Sequence, residues 1–123
     1  MALTAELPAT SGEARDRVLA LLRTGHRQVD DVVVADALLI TSELVTNALR
    51  HAGGVTGFTS RISGDRLEVT VEDASPVHPF VPSDTRDGRI GGYGWSLVGR
   101  LATSVVITST AFGKVIHVTL RLR

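Results

Sequence analysis

The sequence predicts an α+β fold, a two-layer α/β sandwich in which a mixed, mainly antiparallel sheet is covered on one face by about three helices. Three observations predict it. Apolar residues recur at helical spacing in two early segments. The period falls to two residues in the middle of the chain and again near its C-terminal end. A length of 123 residues with 43% apolar content suits one compact unit, residues 1–123, with a filled core. The elements run helix, helix, strand, strand, long loop, helix, strand, strand, an order that gathers the helices into one layer.

Each element has a local cause. Pro8 to Gly12 reads as a turn, Ser11 can cap the helix that follows, and Glu13 and Asp16 lie near its positive end. Val18, Leu19, Leu21 and Leu22 give that helix an apolar face, and Gly25 ends it. Asp30 or Asp31 starts a longer helix, with Val34, Leu38, Thr41, Leu44, Val45, Ala48 and Leu49 at helical spacing, and Gly53-Gly54 stops it. Phe58, Ser60 and Ile62 then alternate with Thr59 and Arg61. After the turn "SGD", Leu67, Val69 and Val71 alternate with Glu68, Thr70 and Glu72, so the pair is a hairpin with one buried face ending at Asp73. Residues 74–91 hold three of the four prolines and no periodicity, as a functional lid or a disordered segment does. A glycine-rich turn and a short helix follow in "IGGYGWSLVGRLA". "SVVITST" and "KVIHVTLRLR", joined by "AFG", close the sheet, and "LTAEL" is a candidate edge strand.

Charge and composition narrow the function. Thirteen basic residues balance thirteen acidic ones, which argues against a general nucleic-acid or membrane-surface binder. No cysteine is present, so disulfides, thiolate metal sites and cysteine nucleophiles are excluded. Neither a signal peptide nor a membrane span is expected, and the default location is cytoplasmic. Lys114 is the only lysine. His26, His78 and His117 have no metal-like spacing.

Three stretches carry candidate chemistry. In "TSELVTNALRHA", Glu43 and Asn47 stand four residues apart and share a helical face. A carboxylate there can serve as a general base, and an amide oxygen is a hard ligand suited to Mg²⁺. The same pair also suits a plain solvated surface. Asp73 closes a strand in "VEDASP", where a buried acceptor can take a hydrogen bond from an exocyclic amine such as that of adenine. Taken alone, Asp before Ala-Ser-Pro reads first as a normal turn starter. Gly91, Gly92 and Gly94 precede a helix, where exposed backbone N–H groups bind phosphate, although glycine-rich turns are common without that role.

Taken in order, these stretches resemble the GHKL ATPase domain shared by gyrase, the heat-shock chaperone, histidine kinases and a mismatch-repair protein. The likeness is strongest to small stand-alone bacterial versions, the anti-sigma factor serine kinases and actinobacterial ATP-binding regulators. "SELVTNALRHA" resembles the family's N-box, "VEDASP" its first glycine box, "GGYGWSLVGRLA" its second, and "FGKVIHVTL" its terminal strand. The resemblance implies a Bergerat-type fold that binds ATP and Mg²⁺. It implies Glu43 as general base, Asn47 as the only protein ligand to Mg²⁺, and Asp73 as acceptor for the adenine amino group. Gly92 and Gly94, with Tyr93 and Leu97, would frame the nucleotide pocket, and Arg50 and His51 would stand near the phosphates. Ser75 occupies the place where the first box often has glycine. Trp95 stands where the second box usually has leucine. Val115 matches a threonine that supports adenine through water, a bond valine cannot make.

The implied activity is a protein serine/threonine kinase that phosphorylates an antagonist protein, sequesters a sigma factor in transcription regulation, or does both. The implied partners are therefore a sigma factor and its antagonist, with a homodimer as a further option. A nucleotide-sensing interaction module without kinase activity is the alternative. The catalytic half of a histidine kinase is a third reading, one that needs a separate source of phosphoacceptor histidine.

Overall fold

The computed structural model describes residues 6–24, 28–51, 53–77 and 93–123. Three helices and four strands run in chain order: α1 Ser11–Leu22, α2 Asp31–His51, β1 Val55–Ser63, β2 Arg66–Asp73, α3 Tyr93–Leu101, β3 Ser104–Ser109 and β4 Lys114–Arg121. The strands form one sheet in the order β1-β2-β4-β3. Every pair is antiparallel, so the sheet among the described residues is purely antiparallel rather than mixed. The edge strand expected at "LTAEL" falls mostly outside the described residues, and Glu6 and Leu7 carry no strand.

Helix starts follow side-chain chemistry. Thr10, not Ser11, caps α1: its hydroxyl accepts from the Glu13 N–H at 3.1 Å while the Glu13 carboxylate accepts from the Ala9 N–H at 3.1 Å. This reciprocal arrangement satisfies two backbone donors, which a serine one position later cannot do. Asp30 caps α2, its carboxylate accepting from the Val32 N–H at 2.8 Å. At the far end of α2, Gly53 and Gly54 take positive φ and the Gly54 N–H returns to the Ala48 carbonyl. Gly25, the expected end of α1, lies outside the described residues; the helix itself closes at Leu22, with Arg23 as its cap. Gly64, at φ 62, supplies the first residue of the two-residue turn between β1 and β2.

The core forms where the periods meet. On β2 the in-phase residues Leu67, Val69 and Val71 are buried; on β4 so are Ile116, Val118 and Leu120. Register sets Leu67 opposite Leu120, Val69 opposite Val118 and Val71 opposite Ile116. Ala37, Ile40, Leu44, Val45 and Ala48 of α2 cover them, with Ala14, Val18 and Leu22 of α1 and Val98 of α3. Leu49, expected on the apolar face of α2, is exposed, because it falls on the side of the helix turned from this stripe. By length and composition α2 is apolar enough to cross a membrane, although the sequence reading expects no span. Much of that apolar content faces the sheet as the core helix of the sandwich.

Phase carries the same row of cross-strand partners one step further, to Asp73 opposite Lys114. At this end β4 comes very close to β2. A Cβ added at Gly113 would collide with the Asp73 carbonyl oxygen and lie 2.8 Å from Ala74 backbone atoms. Glycine is needed here for close approach rather than for an unusual φ. Gly113→Ala is therefore expected to cost about 3 kcal/mol of stability, the upper part of the range for overpacking. Denaturant unfolding checks this; a loss below about 0.5 kcal/mol, the size of an ordinary surface change, would show that the strands separate freely there.

Candidate functional site

The site is built around the last residue of β2. Asp73 and Lys114 are both buried, at 3% and 2% exposure. The Lys114 ammonium donates to Asp73 Oδ1 at 2.9 Å and to the Ser75 carbonyl at 3.2 Å. The Ser75 N–H also donates to Asp73 Oδ1, at 2.9 Å. Asp73 thus starts an Asx-type turn, the role its sequence context suggests. That role uses one carboxylate oxygen only. Oδ2 is fully buried and has no hydrogen-bond partner among the described residues.

An unpaired buried carboxylate oxygen is costly, by about 1–3 kcal/mol or more for a charged group. Buried acceptors in folded proteins are nearly always satisfied, so an orphan calls for a partner. The partner must be a donor, since an ionised carboxylate only accepts. The exocyclic amine of adenine is such a donor, and the residues present fit that base.

Glu43 and Asn47 are half-buried on α2. The helix rotates by about 100° per residue, which sets the two on one flank of the buried stripe and Ser42 on the other. Arg15 of α1 donates to the Ser42 hydroxyl at 2.8 Å, so α1 occupies the Ser42 flank. Glu43 and Asn47 therefore lie on the side of α2 away from α1, on a helix that packs over β1 and β2 and against α3. Arg50 follows on the same flank and is exposed. His51 is the last residue of α2; its side chain lies outside the described set. Among the described residues no cluster of three or more histidine or carboxylate groups is placed to hold a metal. A Mg²⁺ taken by Asn47 with waters and phosphate oxygens needs no such cluster.

The second glycine-rich stretch enters the structure at α3. Tyr93 begins the helix, so Gly94 lies in its first turn and does not precede the helix as its place in the glycine-rich stretch suggests. Leu97 is half-buried. Trp95 is half-buried and packs against the hydrophobic core, where the indole finds an apolar surface. Gly91 and Gly92, His26 and His78, and residues 78–91 of the expected lid lie outside the described residues. His117 faces the other side of the sheet, with Nδ1 2.7 Å from the Thr70 hydroxyl.

Sequence reasoning missed Lys114 and gave its weight to Val115. Strand alternation separates the two. Val115 is half-buried and pairs with Glu72 and Thr108, on the face opposite Asp73. The signal was present: the only lysine of the chain is in phase with Ile116, Val118 and Leu120, all on the buried side.

Comparison with known proteins bears on the fold. The family described as the histidine kinase-like ATPase domain matches residues 4–120. Three solved structures share the fold. The Erythrobacter litoralis EL346 blue-light activated histidine kinase matches with TM-score 0.56 and 24% identity over 90% of this chain and 40% of its own. The histidine kinase domain of that protein matches with TM-score 0.50 and 28% identity over 73% of this chain and 45% of its own. The Acinetobacter baumannii histidine kinase AdeS matches with TM-score 0.52 and 14% identity over 73% of this chain and 47% of its own. The chain thus spans less than half the length of these structures. Among curated protein sequences none matches. The chain belongs to the histidine kinase-like ATPase domain family and so carries a GHKL-type ATPase domain.

Lys114→Met removes the only counter-charge that the described residues offer Asp73. It is expected to lower stability by about 3–5 kcal/mol, the cost of breaking a buried pair by removing one partner. Adding Asp73→Leu should recover most of that loss, because an apolar pair of similar volume replaces a buried ion pair at little cost. Urea unfolding of the three proteins measures both. A single variant that loses under about 1 kcal/mol, the range of an exposed pair, would contradict the buried pairing.

Proposed function

We propose that the chain binds ATP with Mg²⁺ at this site and acts as a regulatory protein kinase. It would phosphorylate a serine or threonine of an antagonist protein, sequester a sigma factor, or do both. The observation that carries the nucleotide reading is Asp73 Oδ2, buried at the end of β2 with no partner among the described residues while Oδ1 takes two donors. Family membership supports ATP as the ligand, usually with Mg²⁺. Glu43 and Asn47, one turn apart on α2, support phosphoryl transfer over binding alone.

Each residue has a distinct task. Asp73 accepts from the base and fixes its orientation. Asn47 offers its amide oxygen to the cation. Glu43 takes the proton of the attacking serine or threonine hydroxyl, as a general base on a positioned nucleophile. Arg50 sits at the exposed end of the same flank, where its guanidinium suits phosphate oxygens. Bound ATP supplies the phosphoryl group, and transfer of this kind depends mainly on positioning and charge neutralisation.

Thermal unfolding with ATP and Mg²⁺ tests the site. At ligand concentrations a hundredfold above Kd the fold should gain about 2.7 kcal/mol. Asn47→Ala should remove the part that depends on Mg²⁺. Glu43→Ala should bind ATP as the parent does and slow transfer to a cognate antagonist about 10²–10⁴-fold, the range for loss of a general base. Unchanged transfer by Glu43→Ala would contradict its assignment as base. Nucleotide binding with no transfer by the parent protein would make the chain an interaction module that responds to nucleotide.

A further inference from the structure

Asp73 explains only half of what the buried pair offers. An ammonium group has three protons and no acceptor. Two of those of Lys114 go to Asp73 Oδ1 and the Ser75 carbonyl. The third has no acceptor among the described residues. Oδ2 of the same carboxylate has no donor among them either. The ion pair therefore presents an acceptor and a donor side by side, both nine-tenths or more buried.

We propose that Lys114 is a second reader of the nucleobase, donating its third proton to the ring nitrogen beside the amino group that Asp73 Oδ2 accepts. The inference rests on the nucleotide reading above. An amino N–H next to a ring nitrogen acceptor is the pairing edge of adenine. It complements an acceptor and a donor held together. Guanine presents a carbonyl oxygen and a ring N–H there, so acceptor meets acceptor and donor meets donor. A site with buried polar groups rejects a ligand that leaves them unpaired. Lys114 then does more than hold Asp73: it sets selectivity for an amino-substituted ring over an oxo-substituted one.

The test uses the fact that Lys114 is the only lysine of the chain. Labelling lysine with ¹⁵N at Nζ gives one side-chain ammonium resonance. It is followed during titration with ATP, 1-deaza-ATP and 7-deaza-ATP in the presence of Mg²⁺. The 1-deaza compound lacks the ring nitrogen in question; the 7-deaza compound keeps it. ATP and 7-deaza-ATP are expected to bind alike and to move the resonance equally. The 1-deaza compound is expected to bind about tenfold more weakly, within the range for one lost contact of a bidentate base pair, and to move it less than half as far. In Lys114→Met the difference between ATP and 1-deaza-ATP should fall below about twofold. If that variant does not fold, the resonance of the parent protein still decides the matter. Equal affinity for ATP and 1-deaza-ATP, or a resonance unmoved by saturating ATP, overturns the role of Lys114 while leaving the nucleotide reading standing. Failure of all three nucleotides to bind overturns both.

Discussion

The buried pair of Asp73 and Lys114 is the interaction on which the rest of this structure turns. It continues the same cross-strand row as the apolar partners of β2 and β4, one step beyond Val71 and Ile116. Charged groups are costly in such a place unless paired and hydrogen-bonded. Here the pairing is good for two of the polar groups and, among the described residues, absent for the third. Oδ1 takes two donors and the ammonium finds two acceptors, while Oδ2 has none among the described residues. Stability alone does not call for this arrangement, since an apolar pair would close the core row equally well. A ligand that completes the hydrogen bonding gives it a reason.

Other elements serve that point. Close approach of β4 to the end of β2 depends on Gly113, where any side chain would meet the Asp73 backbone. The turn after Asp73 depends on the Ser75 N–H, which helps hold Oδ1, while Oδ2 has no partner among the described residues. Helix α2 works on two sides at once. Its buried stripe covers the sheet, and the flank away from α1 carries Glu43, Asn47 and Arg50. Because α1 is tied to the opposite flank through Arg15 and Ser42, the polar flank is not covered by α1.

Much of this was legible in the sequence. Periods of 3.6 and 2 residues locate α1, α2, β1 and β2 because each has one more buried and one more exposed side, which is the condition for period to show, while α3 follows from the glycine-rich turn before it. The N-box residues could be singled out because Glu43 and Asn47 are polar at a spacing that shares a flank. Less legible were features set by cross-strand register. The Thr10 cap was assigned one residue late because serine and threonine are adjacent and both cap well. Lys114 was passed over because lysine is a surface residue by habit. Its phase in β4 pointed inward, but its partner lies 41 residues away across the sheet, and only register brings the two together. Val115 drew attention in its place, although alternation turns it to the other face.

The most direct measurement of the central claim is a crystal structure of the chain with Mg²⁺ and a non-hydrolysable ATP analogue. The account predicts the adenine amino group within hydrogen-bond distance of Asp73 Oδ2, with Lys114 still on Oδ1. A nucleotide bound with its base away from Asp73, or an Oδ2 that stays unpartnered with the analogue in place, would contradict it.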